Sequence, residues 1–239
     1  MAESSPPNDL ETLNLPLAAA GAERLAICNA YLEASTVHLQ HSHTQGTSGL
    51  QLVQTRAAVM DVLLAQLFNH AIQHYKNRHG TLPAPVALVA LGGYGRSELN
   101  PLSDIDLMFL YPTKTQAAAI KPLQEHLTNE ILYPLWDCNL KVGHSTRNVD
   151  EVFVEARKDI QTKTALLESR LIAGSSTLYD TFAHAYRSFY STEKPKEYIA
   201  QRLNDQASRR TKHGDTVFLQ EPDIKNGMGG LRDYQNALW

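Results

Sequence analysis

The stretch "VALVALGGYGRSELNPLSDIDLMFLY", residues 86–111, limits the possible folds more than any other part of the chain. Two continuous apolar runs, 86–91 and 105–111, have the length and composition of buried strands. Between them stand the pair Gly92–Gly93 and, after a gap of ten residues, the acids Asp104 and Asp106. Residues i and i+2 of a strand share a face, so the two carboxylates project side by side while Ile105 and Leu107 turn to the core. Carboxylates this close repel each other unless a cation holds both. Mg²⁺ suits such a pair, because it is hard, prefers oxygen, and takes one or two carboxylates together with substrate phosphates.

The glycines lack Cβ atoms, so their backbone N–H groups can approach an anion closely. The following "YGRSEL" is expected to open a short helix whose first turn also favours phosphate. No Gly-Lys-Ser/Thr follows, which excludes a P-loop, and the G-x-G-x-x-G spacing of a dinucleotide fold is missing. A plainer reading makes Asp104 and Asp106 loop-capping acids at an exposed strand start. The strand on either side and the upstream glycines argue against it.

Long helical patterns precede this region. Residues 1–20 are rich in Ser, Pro and Asn and read as a disordered arm. Residues 21–43 read as a helix, broken by Gly46, Ser48 and Gly49. A stronger one spans 50–78, with Leu63, Leu64, Leu67 and Phe68 at three- and four-residue spacing, and Gly80 and Pro83 end it. Downstream, 115–136 reads as a helix, 138–147 as a third strand, 150–190 as helical, and 197–212 as a polar, basic helix. The last residues read as an extended piece, a glycine-rich turn and the start of a helix. The resulting division is an arm (1–20), a helical segment (21–80), an α/β core with a small mixed sheet (81–147) and a helical region (148–239) reaching the chain's last residue.

The formal net charge of -3 and a pI near 6.4 argue against a protein that grips nucleic acid through its phosphates. Two distant cysteines, Cys28 and Cys138, build neither a disulfide framework nor a zinc site of the usual spacing. No basic leader and no membrane-length apolar run is present, and the expected location is the cytoplasm.

The motif L-G-G, ten residues, D-I-D-L resembles the nucleotidyltransferase superfamily typified by DNA polymerase β. More narrowly, "GGYGRSELNPLSDIDLMFLY", "LYPLWDCNLKVGHSTRN", "LLESRLIAG" and "EPDIKNGMGGLRD" resemble four blocks of the bacterial PII uridylyltransferases. The resemblance covers residues 85–239, and the first 80 residues share only helical character. It implies transfer of UMP from UTP, with Mg²⁺, to a tyrosine hydroxyl of the PII nitrogen-signalling protein. It implies that Gly92 and Gly93 cradle the triphosphate and that Asp104 and Asp106 bind the metal. A third carboxylate usually helps deprotonate the acceptor, and Asp137 is the candidate; it also reads as a helix-end or turn residue. Complete members of the family continue into an HD-type phosphohydrolase domain and two ACT domains. Where this chain has Met228 the family commonly has proline.

Other residues carry two readings each. Arg96 and Ser97 either meet phosphate oxygens or pair and cap locally. Glu98 is expected to pair structurally. Lys225 and Arg232 flank the glycine turn and are expected to face the triphosphate, unless Arg232 forms a buried pair with Asp233. His144 reads as a structural strand-end histidine. His70 and His74 lack the glutamate of a zincin helix. The basic "SRRTKH" reads as a solvated helix end. Transfer of AMP instead, another acceptor, or a nucleotide-binding module without turnover remain open alternatives.

Overall fold

The computed structural model describes residues 12–19 and 21–239. Most of the expected N-terminal arm lies outside the described residues. Its last part differs from expectation: Leu13 and Leu15 are buried in the main core.

Helices α1 (Gly21–Thr44) and α2 (Gly49–His79) open the fold. The junction follows from Ser48, whose side chain accepts from the Gln51 N–H while the Gln51 side chain accepts from the Ser48 N–H. This reciprocal cap satisfies two donors that the helix leaves free. Gly80, at φ 80°, takes the left-handed conformation that ends α2.

Strands β1 (Ala87–Ala90), β2 (Ile105–Tyr111), β3 (Val142–Asn148) and β4 (Arg170–Gly174) form one mixed sheet in the order β3-β2-β1-β4. β2 runs parallel to β3 and antiparallel to β1, and β1 is antiparallel to β4. Alternation along β2 sorts the core. Ile105, Leu107, Phe109 and Tyr111 join the cluster built by α2, α4 (Ala117–Leu127) and α5 (Tyr133–Asp137). Met108 and Leu110 join the opposite cluster, under α6 (Val149–Lys158), α7 (Ile160–Leu167) and α8 (Ser176–Thr192).

Three elements differ from the sequence reading. The helical stretch expected over 150–190 is interrupted by β4. Leu171 and Ile172 continue the apolar spacing of α7, but they pack on opposite faces of the sheet, which only strand geometry allows. The helix expected over 115–136 is not uniform: Pro134 cannot donate to a carbonyl in the preceding turn, and a π-helical turn, Thr128–Leu132, precedes α5. β3 starts at Val142 rather than 138, because Cys138 and Leu140 are engaged in closing α5. Their N–H groups donate to Pro134 and Leu135 carbonyls around a left-handed Asn139.

A one-turn helix, α3 (Gly92–Gly95), follows β1 directly. Helix α9 (Pro195–Lys212) and the short α10 (Leu231–Leu238) complete the described residues.

Candidate active site

The glycine turn and the acids meet because β1 and β2 are antiparallel neighbours. The Leu91 N–H donates to the Asp106 carbonyl at 3.0 Å, so the end of β1 lies beside the start of β2. Gly92 then takes φ 58°, a left-handed value that a glycine adopts without strain. A Cβ at Gly92 would stand 4.0 Å from Asp106 Oδ2. On the other side, a Cβ at Gly143 of β3 would stand 2.6 Å from Asp106 Oδ1. The Asp106 carboxylate therefore sits between two glycines, in a space that side chains on either neighbour would narrow.

Burial, and next the negative charge of Asp104, push the Asp106 carboxyl above its ordinary value. Both carboxylates line one cleft of about 500 Å³ with Gly93, Arg96, Lys225 and Arg232. Six residues singled out in sequence thus converge, from three separate segments.

The second wall is built by the glycine-rich turn before α10. The Leu231 and Arg232 N–H groups donate to the Ile224 and Lys225 carbonyls at 2.9 Å, closing the turn. A Cβ at Gly230 would stand 2.9 Å from the Ile224 carbonyl oxygen, so glycine suits this crossing. The Gly229 N–H donates to Asp233, which also accepts from Gln206, Arg209 and Arg210. Burial alone would raise the Asp233 carboxyl, but these donors outweigh it and bring it down to about 2. The expected alternative of an Arg232–Asp233 pair is not formed. Arg232 instead donates to Gln235 at 3.1 Å, and burial, followed by the nearby Arg96, holds its guanidinium below its usual value.

Arg96 reaches the cleft already paired. Its guanidinium donates to Glu98 at 2.9 Å and to Glu168 at 2.6 Å. Ser97 is not among the residues that line the cleft. It adopts φ 62° and donates its N–H to the Tyr94 carbonyl, which makes it the closing residue of the α3 turn. Asp137 also stays outside. It is an exposed residue at the end of α5, the helix that packs on the sheet face opposite Asp106. His144 packs its ring against Trp136 at 5.8 Å and does not line the cleft.

Residues that sequence reasoning passed over hold the glycine turn from behind. Asp61 of α2 accepts the Tyr94 hydroxyl at 2.6 Å and both Nη groups of Arg170, at 2.8 and 3.0 Å. Arg170 also donates to the Tyr94 carbonyl. Glu168 couples Arg96 to the indole N–H of Trp239, which donates to it at 2.5 Å. A Cβ at Gly95 would lie 1.7 Å from the Glu168 carbonyl oxygen, so the turn contacts the chain entering β4 backbone to backbone. The segment "LLESRLIAG" carried the signal, but charged residues before a strand do not reveal their partners.

His70, His74 and Glu130 form a separate cluster whose ligand atoms lie within 4.8 Å of one another. Arg24 pairs with Glu130 and approaches His70, so a guanidinium already supplies the positive charge there.

The family model "GlnD PII-uridylyltransferase" matches residues 197–239, and "Glutamate-ammonia ligase adenylyltransferase" matches residues 35–131. The second match reaches into α1, upstream of every block recognised in the sequence. The bifunctional uridylyltransferase/uridylyl-removing enzyme of Rhodospirillum rubrum is 35% identical over 193 residues, 80% of this chain and 20% of the relative. Its counterpart in Bradyrhizobium sp. (strain BTAi1) is 38% identical over 192 residues, with the same shares. That of Rhodopseudomonas palustris is 35% identical over 218 residues, 89% of this chain and 22% of the relative. Although it spans only about 20% of the length of such relatives, the chain belongs to the PII-uridylyltransferase family.

Proposed function

We propose that this chain transfers UMP from UTP to a tyrosine hydroxyl of the PII signalling protein, releasing diphosphate. One observation carries the reading: Asp104 and Asp106 share a cleft with Gly93, Arg96, Lys225 and Arg232. Two carboxylates in one cleft with Lys225 and Arg232 fit a metal-assisted reaction at a phosphate.

The two carboxylates offer hard oxygen donors of the kind Mg²⁺ takes, and their mutual repulsion is what a bound cation relieves. When bound, the ion neutralises charge on the reacting phosphate. Gly92 and Gly93 leave room for the triphosphate beside the carboxylates, and Lys225 and Arg232 balance its charge from the other wall. The acceptor oxygen forms a bond to the α-phosphorus, the bond to the bridging oxygen breaks, and diphosphate leaves with that electron pair. Asp137 does not line the cleft, so no part in taking the acceptor's proton is given to it, and that proton passes to solvent. We place the reaction in the cytoplasm; Cys28 and Cys138 are unpaired, and no helix of the described residues is long and apolar enough to cross a membrane.

The test is incubation with PII, UTP and Mg²⁺, followed by mass spectrometry of PII. The expected result is one added uridylyl group with UTP and none with ATP. The reverse preference would establish adenylyl transfer, the reading favoured by the match of residues 35–131 to an adenylyltransferase model. No transfer with either nucleotide, despite saturable nucleotide binding, would leave a binding module.

A further inference from the structure

Arg232 lines two clefts. One is the catalytic cleft, and the other, of about 520 Å³, is bounded by α9 and the turn before α10. The second cleft carries Arg202, Arg209, Lys212 and Arg232 on its wall, against a single carboxylate, Asp205. Arg202, Asp205, Arg209 and Lys212 recur at three- and four-residue spacing and so share one face of α9.

The local acids are committed. Asp205 accepts from the Gln161 amide at 2.9 Å and lies 3.6 Å from Arg202. Asp233 holds Arg209 and Arg210. Among the described residues, Lys212 and Arg232 have no carboxylate at ion-pair distance. Arg202 is 5% exposed, its guanidinium stacks on Trp239 at 4.5 Å, and its Nη1 has no hydrogen-bond partner. Arg202 Nη1 faces Asp205 beyond hydrogen-bond distance, and with Lys212 and Arg232 unpaired the wall carries more positive charge than its one carboxylate answers. The dipole of α9 accounts for cations in its last turn, but not for Arg202 about two turns before Arg209 or for Arg232 on a different element.

We propose that the second cleft is a phosphate-binding site and that inorganic diphosphate is its ligand. The anion site stands on the geometry alone; the choice of diphosphate rests on the transfer reading, in which diphosphate is the leaving group. Because Arg232 faces both clefts, diphosphate released beside Asp104 and Asp106 can pass to Lys212 and Arg209 without leaving contact with a cation.

The experiment is calorimetric titration with sodium diphosphate, without divalent metal and at constant ionic strength, using the intact chain and three variants. Saturable binding is expected, unchanged in the Asp104→Asn/Asp106→Asn double variant and in Lys225→Gln, and weakened at least fivefold in Lys212→Glu. Lys212 is exposed and unpaired, so an unchanged melting temperature for that variant separates lost binding from lost folding. Absence of saturable binding overturns the site, as does binding that follows Lys225→Gln and ignores Lys212→Glu. Inorganic phosphate binding as tightly as diphosphate would keep the anion site and overturn diphosphate as its ligand. Failure of transfer to PII would sink the catalytic reading and leave these titrations unaffected.

Discussion

Arg170 grips Asp61 with both Nη groups, at 2.8 and 3.0 Å, across 109 residues of sequence. The pair joins β4 to α2 beneath the glycine turn, and the Tyr94 hydroxyl shares the same carboxylate. Asp61→Ala leaves a half-buried guanidinium and a buried phenol without their acceptor. The expected loss is about 1–3 kcal/mol, read from the midpoint of urea unfolding. Asp61→Asn, which keeps the shape, is expected to recover part of that loss while still raising the KM for nucleotide, because the turn is no longer pinned.

Asp104→Asn and Asp106→Asn are expected to reduce nucleotide transfer on the order of 100-fold or more each. The reasoning is that metal stabilisation of the transition state is worth several kcal/mol, and about 1.4 kcal/mol corresponds to a tenfold rate change. The effect of Asp106→Asn on stability should run the other way. The Asp106 carboxyl is raised on folding, so the native state binds protons more readily than the unfolded chain, and this group's contribution falls as pH rises through the raised value. In metal-free buffer at pH 7, Asp106→Asn is therefore expected to melt at or above the parent temperature. A clearly lower melting temperature would contradict the charge repulsion described for the pair.

Asp233 has the opposite sign. Its carboxyl falls from 3.8 to about 2 on folding, so its stabilisation is present above pH 3.8 and is lost as the pH drops toward 2. With a discount for solvent screening, about 1–2 kcal/mol is at stake. Asp233→Asn is expected to destabilise the chain at pH 6, with the difference from the parent shrinking over that window. Parallel pH–stability curves for the two proteins would remove Asp233 from the account.

Gly143 and Gly95 separate function from folding. At Gly143 an added methyl meets only the end of the Asp106 side chain, which can swing aside. Gly143→Ala is expected to unfold at nearly the parent urea concentration yet lose most transfer activity, because the carboxylate is displaced. At Gly95 the methyl meets backbone 1.7 Å away. Gly95→Ala is expected to cost about 1–3 kcal/mol, with the turn forced off β4.

Much of the site was legible from residues 86–111. Strand alternation predicts Asp104 and Asp106 on one face, whereas the antiparallel pairing of β1 with β2 came only from the structure, because a connection of this length serves either direction. The cleft also brings in Lys225 and Arg232, the flanks of the glycine-rich turn. What misled was local resemblance between unlike elements. β4 is five residues long, and its Leu171 and Ile172 satisfy helical spacing as well as strand alternation. Arg96 reads in sequence either as a phosphate contact or as a local pair; two acids hold it, Glu98 beside it and Glu168, 72 residues away.

The sequence by itself determined the chemistry of the chain: glycines where backbone must come close, paired acids at a strand start, and apolar periods that build two helices and a buried sheet. Those are properties of neighbours along the chain, where bond geometry sets which side chains share a face. Only the tertiary structure decided which charges are answered. Asp61 is taken by Arg170, Glu168 by Arg96 and Asp233 by Arg209 and Arg210, while Arg232 and Lys212 have no such acid among the described residues. Electrostatic pairing depends on distance in space and on burial, and neither is written in the spacing of residues along a chain.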